Sequence, residues 1–454
     1  MIGEMSFSAL AKTLHARHFG GEVYFSELST DSRKIEVGSA FLALKGDKFN
    51  GQDFVESAIR AGASGAIVEQ SCVDSYPQLI VSNTHDALRD IARLNRDRSK
   101  AKVVALTGSQ AKTTVKELIA GILSSKAPTL ATQANFNNTI GVPLTLLRLN
   151  EEHRYAVVEM GADRPGEIGF SAQAACPDIA LITMASAAHV EGFGSLAGIV
   201  RGKGEIFDHM RSGGTAVLNH DDVHVGVWID RLGGRRFVQF SAQQSARTEY
   251  RARDIESLAD GRVYFNLVTP NGELDIAMKL LGRHNVMNAV AAAAVAFEAG
   301  AGLGLIKHGL ESAIPVRGRL CAEEGIGGAV ILDDSYNASP NSFRAAIDVL
   351  ATFSGQQILI VGDMKELGNE TRQAHRSIGL MAKQAGIESL WAVGDYASVV
   401  AENFGKGAVV FEDQYSLVEY ALTRLNSDSV VLIKGSRGTR MERVVYELCR
   451  GEDV

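Results

Sequence analysis

Cysteine is scarce in this chain. Cys72, Cys176, Cys321 and Cys449 are the four in 454 residues, far apart, with no CxxC pair and no zinc-ligand spacing. That excludes a disulfide scaffold and a cysteine-based zinc module, and it fits a reducing compartment. Long apolar runs are missing as well. The opening MIGEMSFSALAKTLHARHFGG is broken by Glu4, Lys12 and His15, so no signal peptide is expected. The alanine-rich AVAAAAVAFEAG at 289–300 is too short to span a bilayer and reads as a tightly packed helix. Positive charge is not in excess: a net charge of −7 argues against a general nucleic-acid binder but leaves room for a local basic pocket. What is present, 46% hydrophobic and 22% charged residues, describes a cytoplasmic globular protein with no membrane span. A chain of this length exceeds one core, and roughly two to four domains are expected.

Residues 1–99 mix short strand signals (FLAL, GAIVE, QLIV) with helices such as FVESAIRAG, which predicts a small α/β unit. Apolar runs then recur with helix-period segments between several of them: VVAL (103–106), YAVVEM (155–160), IALITM (179–184) and TAVLN (215–219). This is the pattern of a mainly parallel sheet covered by helices. Residues 237–281 alternate in strand fashion and are expected to extend that sheet as a meander. A helical stretch covers 284–313, and IPVRGRL (314–320) reads as a linker. A fresh series follows, AVILDD, QILIVG, SLWAVG and SVVLIKG, which predicts a second doubly wound unit with its ligand edge at the strand C-termini. The expected division is 1–99, 100–316 and 317–454: a small α/β domain, a central phosphate-loop domain and a Rossmann-like domain.

Chemistry concentrates first at LTGSQAKTTVKEL (106–118). Gly108, Ser109, Gln110, Ala111, Lys112 and Thr113 form a shortened phosphate-loop pattern, with alanine where glycine usually precedes the lysine. Loop N–H groups, with Thr114 at the helix start, can hold phosphate oxygens. Lys112 can neutralise them and the Thr113 hydroxyl can join Mg²⁺. The segment by itself also describes a plain strand–turn–helix crossover. Glu159 ends the next strand and is a hard oxygen ligand placed beside the loop, or a solvated strand-end acid. His189 follows IALITM on a third adjoining loop, and RGKGEIF puts Lys203 near the start of a helix, where a surface lysine is the plainer reading.

These residues, together with STDSR (29–33), NFNNTIGVPLTLL (135–147), GRHNVMNAVAA (282–292), PVRGR (315–319), DDSYNASP (333–340), GDMKELG (362–368) and KGSRG (434–438), resemble the Mur ligase family of ATP-dependent peptide synthetases along essentially the whole chain. The resemblance implies three domains, binding a UDP-sugar, ATP and the incoming amino acid or dipeptide in turn. DDSYNASP with GDMKELG is similar to the members that add D-alanyl-D-alanine to UDP-MurNAc-tripeptide, acting as monomers. It implies catalytic roles for Lys112, Lys203, His189 and Arg319, and ATP contacts from Gly108 to Thr114 and from Asn285, Asn288, Arg319, Asp334 and Asn337. Thr113, Glu159, His189 and a carbamylated Lys203 match the ligands of two Mg²⁺ sites. Thr30, Asp31, Ser32, Arg33, Phe49, Asn50, Gly51, Asn135 and Asn138 match contacts to the UDP-sugar substrate.

The plainer readings of several of these are that Asn285 and Asn288 cap a helix, Arg319 is a linker charge and Asp334 a strand-end acid. The chain also departs from the family pattern. Ala111 replaces a glycine, Met184 an asparagine and Gly202 an alanine, the last expected to loosen the helix start before Lys203; Asp163 and Arg164 replace an Asn-His or Asn-Lys pair. The alternatives are a sister Mur ligase, a folylpolyglutamate synthetase, or a non-catalytic UDP-muramyl-peptide-binding protein with a decayed ATP loop.

Overall fold

Side chains on a strand alternate between faces, and in the central sheet that alternation divides each strand between two cores. Val103, Ala105, Ala156, Val158, Ala180 and Ile182 face one hydrophobic cluster. Their neighbours Val104, Leu106, Tyr155, Val157, Ile179 and Leu181 face another. Strands apolar on both faces belong to a parallel sheet sandwiched by helices, and that is what forms. The computed structural model describes residues 1–46, 49–72, 76–186 and 190–449.

The central sheet has nine strands, in the order Gly272–Leu281, Arg262–Thr269, Tyr250–Ser257, Phe237–Ser241, Thr215–Asn219, Ile179–Ile182, Lys102–Thr107, Tyr155–Glu159 and Thr129–Ala131. Its first three strands pair antiparallel and the others parallel, so the expected meander does extend a parallel sheet. A five-stranded sheet precedes it, with the parallel strands Leu28–Ser29, Ala40–Leu42, Gly65–Val68 and Gln78–Ile80 and the antiparallel Arg17–Phe19. A six-stranded sheet follows it, with the parallel strands Val330–Asp334, Ser429–Lys434, Gln356–Val361, Ser389–Val393 and Ala408–Phe411, and Cys321–Glu324 antiparallel at one edge. The architecture is α/β in three parts. Among the described residues no helix is long and apolar enough to cross a membrane.

Alanine-rich 289–300 is the packed helix that its composition implies. Ala289 to Ala296 are at most 1% exposed within the helix His284–Glu298. It lies against the phosphate-loop helix Lys112–Ser124, and small side chains permit the close approach. The stretch 284–313 is two helices rather than one, because Gly300 (φ 96°) ends the first and Leu303–Ser312 begins anew.

A boundary near residue 99 falls between the helix Thr84–Arg98 and the next strand, but packing does not stop there. Leu88, Ile91 and Ala92 of that helix share a cluster with Val103, Leu146, Ala172 and Ala175. Arg96, 1% exposed, donates from Nε to Ala175 O at 3.0 Å and from Nη2 to Cys176 O at 3.3 Å and Asp178 Oδ2 at 2.7 Å. Asp178 in turn accepts the Val103 N–H. The first two units therefore form one block. Loss of the guanidinium leaves Ala175 O and Cys176 O without their donor while Asp178 keeps the Val103 N–H and Arg211 at 3.6 Å, at a cost of about 1–3 kcal/mol. Arg96→Met is expected to lose that much in urea unfolding followed by tryptophan fluorescence of the block, and a loss under ~1 kcal/mol would show that the pair is not what joins the units.

Candidate active site

The strand Lys102–Thr107 delivers the chain to a loop tied down on its underside. Ser109 N–H donates to Met184 O at 2.8 Å, Thr183 Oγ1 donates to Gln110 O at 2.7 Å, and Ser186 N–H donates to Ser109 Oγ at 3.0 Å. Any side chain at Gly108 would strike Thr183 Oγ1, 1.8 Å from where its Cβ would sit, so glycine is required there. Ala111 holds φ 63° and ψ 1°, the left-handed backbone that glycine adopts most easily, immediately before the helix Lys112–Ser124. Helix N–H groups and the loop thus converge as a phosphate cradle needs.

Around this cradle the structure gathers most of the expected site. Lys112 Nζ donates to Gly108 O at 2.8 Å, and burial lowers its pKa, with Glu159 opposing the fall. Thr113 Oγ1 donates to Glu159 Oε1 at 3.4 Å, and Asn137 Nδ2 donates to the same oxygen at 2.8 Å. Glu159 is 2% exposed, and among the described residues its Oε2 has no hydrogen-bond partner. A buried, unpartnered carboxylate oxygen beside a hydroxyl is a donor set that suits a hard cation such as Mg²⁺. This excludes the solvated-acid reading of Glu159.

Lys203 is buried too, at 4% exposure, and is not a surface lysine. Burial first, and the nearby Lys112 second, bring its pKa down to about 7, while Asp163 opposes the fall. Its place in the helix differs from expectation. It lies in the last turn of Leu196–Gly204, not at a helix start, because Ser195 caps the N-terminus eight residues earlier through the Gly198 N–H. Gly202 accordingly does not loosen a start: a Cβ there would lie 2.5 Å from Phe193 Cε1, so the missing side chain makes room for that ring. His189 lies outside the described residues.

A cavity of ≈730 Å³ opens from the loop, walled by Gln110 and Ala111 on one side and Asp334 and Asn337 on the other, with Asn285 and Asn288 also lining it. The asparagines are 6% exposed and do not cap their helix. Asn285 Nδ2 donates back to Leu281 O at 2.7 Å and Asn288 Nδ2 to Asn285 Oδ1 at 2.8 Å, leaving amide atoms directed by a fixed network. Met184 also lines the cavity. Arg319 spans the gap: its Nη2 donates to Thr113 Oγ1 at 3.2 Å, which is not the behaviour of a linker charge. Asp334 is paired with Lys434 at 2.5 Å, and Lys434, 1% exposed, also donates to Asn337 O at 2.9 Å. Burial pushes the Asp334 carboxyl up and Lys434 opposes the rise. Gln110 Nε2 to Ser339 Oγ, at 3.4 Å, is a second bond across the same gap.

The remaining expected residues lie elsewhere. Thr30–Arg33 and Phe49–Gly51 follow adjacent parallel strands, so they share one edge of the five-stranded sheet. Arg33 Nε and Nη2 grip Asp31 at 2.8 and 2.9 Å, and that contact holds the carboxyl down to about 2. Phe49 is 57% exposed, and Gly51 sits where a Cβ would meet Leu44 O at 2.5 Å. Asn135 and Asn138 belong to the loop after Thr129–Ala131, and Asn138 Oδ1 is occupied with the Ile140 and Gly141 N–H groups. Thr132 (accepting Glu159 N–H at 3.0 Å) went unsuspected from sequence, and Asn137, Tyr336 and Lys434 were given no role there although NFNN, DDSYNASP and KGSRG contain them. Only the run NFNN, three amides in four residues, carried a signal for Asn137.

Comparison with known proteins agrees with this geometry. Family models match residues 24–96 (Mur ligase family, catalytic domain), 106–296 (Mur ligase middle domain) and 318–437 (Mur ligase, glutamate ligase domain). The chain is 40% identical to the UDP-N-acetylmuramoyl-tripeptide--D-alanyl-D-alanine ligase of Escherichia coli (strain K12), over 98% of both chains. It is 31% identical to the ligase of that name from Bacillus subtilis (strain 168), over 93% of this chain and 92% of the other. A crystal structure of MurF from Acinetobacter baumannii superposes with a TM-score of 0.92 at 34% identity, covering 99% of each chain. MurF ligase from Thermotoga maritima in complex with ADP gives 0.84 at 28% identity, over 93% of this chain and 96% of that one. With the loop, the buried cations and the two-sided cavity all in place on a fold shared from end to end, the chain belongs to the Mur ligase family.

Proposed function

We propose that this chain is an ATP-dependent amide ligase that adds D-alanyl-D-alanine to UDP-N-acetylmuramoyl-tripeptide in peptidoglycan precursor synthesis, working as a cytoplasmic monomer. The observation that carries the reading is the reach of Arg319 to Thr113 across a cavity whose phosphate-loop side holds the half-buried Lys112 and the buried Lys203. The near full-length likeness to ligases of that name supports the choice of substrates.

The chemistry needs such a site. A carboxylate anion resists attack by an amine, so the tripeptide's terminal carboxylate first attacks the γ-phosphorus of ATP. The bridging P–O bond breaks and ADP leaves, giving an acyl phosphate. The dipeptide amine then attacks the acyl carbon, phosphate departs, and the amine's proton is released. Bringing two anions together is the difficulty, and positioning with charge neutralisation overcomes it. Loop N–H groups from Gly108 to Thr114, with Lys112 and Arg319, take the phosphates. Asn285 and Asn288 take the adenine edge, and Asp334 with Asn337 the ribose side. Thr30–Arg33, Phe49–Gly51, Asn135 and Asn138 take the UDP-sugar. Thr113, Glu159, His189 and carbamylated Lys203 would hold Mg²⁺ at two sites, and bound Mg²⁺ supplies charge neutralisation to the phosphate oxygens. Phosphate release with the diaminopimelate and lysine tripeptides, each with D-alanyl-D-alanine and with single amino acids, tests the assignment. Release that ignores D-alanyl-D-alanine would point to a sister ligase, and absence of nucleotide binding with Mg²⁺ to a binding protein.

A lysine with its pKa near 7 is substantially neutral at physiological pH, and a neutral amine can attack CO₂, losing a proton to become a carbamate anion. Labelled CO₂ trapped on the protein is expected to increase from pH 6 to 8 and to vanish in Lys203→Ala. That variant should lose about 100-fold or more in activity, with partial recovery in formate or acetate. Near-normal activity of Lys203→Ala would remove the carbamate from the mechanism.

Ala111 generates a second expectation. A non-glycine residue at φ 63° costs roughly 1 kcal/mol whether or not ATP is present, and its methyl borders the cavity. Ala111→Gly should raise thermal stability slightly, tighten a non-hydrolysable ATP analogue about fivefold or more, and leave UDP-tripeptide affinity unchanged. Equal nucleotide affinity in isothermal titration would show that the loop already accommodates the methyl.

A further inference from the structure

Arg319 carries a full charge into a half-buried site without the usual means of holding it there. Among the described residues its Nε is buried with no partner, and its Nη2 bonds a neutral hydroxyl, Thr113 Oγ1. The nearby carboxylate of Asp334 is engaged by Lys434. What covers the guanidinium is an aromatic face: Arg319 Cζ lies 4.4 Å from the centroid of Tyr336. A second guanidinium, that of Arg437, stands 5.3 Å from the same ring.

The ring is itself fixed through the backbone. Tyr336 N–H donates to Gly318 O at 3.1 Å, and Gly318 N–H donates to Asp333 Oδ2 at 2.9 Å. Asp333, 1% exposed, also accepts from Ser335 N–H and Ser335 Oγ at 3.0 and 2.6 Å. Gly318 has φ 76°, and Tyr336 Cβ lies 3.1 Å from where its side chain would begin. The residue before Arg319 and the residue that covers it are therefore one rigid piece.

We propose that Tyr336 is a positioning residue for phosphoryl transfer, its ring face holding Arg319 in the orientation that meets the γ-phosphate; this rests on the ligase reading above. A carboxylate would orient the guanidinium equally well, but it would use up N–H donors and cancel the charge that the transfer needs. An aromatic face attracts the cation through its quadrupole and occupies none of its N–H donors. An Arg319 without this support has several rotamers open to it, and misplacement by about 1 Å can cost up to ~100-fold in rate.

Steady-state kinetics on the full chain test this. Tyr336→Phe should stay within about threefold of the unsubstituted protein, whereas Tyr336→Leu should lose ~10- to 100-fold in kcat with KM for UDP-tripeptide unchanged. Arg319→Ala should cost much less in the Tyr336→Leu background than alone, because the two residues act as a unit. Progressively fluorinated phenylalanines at position 336 keep the ring's shape while weakening its negative face, so kcat should fall stepwise along the series; this arm also serves if Tyr336→Leu does not fold. A flat fluorination series, Tyr336→Leu within threefold of normal, or an Arg319→Ala cost equal in both backgrounds would overturn the proposal. Failure of the ligase reading would be seen separately, as an unsubstituted protein that releases no phosphate with D-alanyl-D-alanine.

Discussion

Buried positive charge that lacks enough buried negative charge is the constraint around which this site is organised. Burial lowers the pKa of Lys112 and Lys203, Arg319 adding to the fall at Lys112 and Lys112 to the fall at Lys203, with Glu159 and Asp163 opposing it at Lys112 and Asp163 at Lys203. Desolvating cations is costly unless an anion joins them, so the cluster is destabilised on its own and stabilised by a polyphosphate. The same imbalance brings the Lys203 amine down to about 7, where a lysine can be modified instead of remaining charged. A pocket that favours an anion and a lysine with a lowered pKa thus have a common electrostatic origin.

The cluster also explains why the three units are joined unequally. The helix Thr84–Arg98 shares a continuous core with the central sheet, and Arg96 pins it to Ala175, Cys176 and Asp178. The third unit meets the phosphate loop through a few polar bonds, Arg319 to Thr113 and Gln110 to Ser339, around an open cavity. A second contact lies behind it, where a side chain at Gly282 would stand 2.5 Å from Val349 Cγ2 and where Leu281 joins the core of the last unit. A rigid block joined to a third unit by a few polar bonds around a cavity and a small apolar contact behind it is an arrangement that domain closure can use.

The alternating and continuous apolar runs made the three sheets legible in the sequence, since burial on two faces leaves few alternatives for VVAL or IALI. The phosphate loop was legible too, as glycine and lysine at fixed offsets between a strand and a helix. Short edge strands such as Thr129–Ala131 and Ala408–Phe411 were not, because three or four residues carry little periodicity. Lys203 was put at the wrong end of its helix because RGKGEIF looks like a beginning, while the real N-terminal signal, Ser195, stands earlier. Asn137, Tyr336 and Lys434 act through contacts with residues distant in sequence, Glu159, Arg319 and Asp334, and no local pattern encodes such pairs.

Alanine before Lys112 bears on whether the phosphate loop has decayed. A left-handed alanine persists only where its surroundings over-determine the backbone. Here they do: Thr183 Oγ1 holds Gln110 O from below, Ser109 is bonded to Met184 O and Ser186, and Gly108 leaves no room for an alternative path over Thr183. A loop losing its function would relax toward φ below zero at position 111, freeing the methyl from strain. Instead the supports keep a glycine-like geometry without glycine, and Lys112, Thr113, Glu159 and Lys203 remain gathered around it. A strain of about 1 kcal/mol, held in place by these supports, fits a loop still shaped for phosphate.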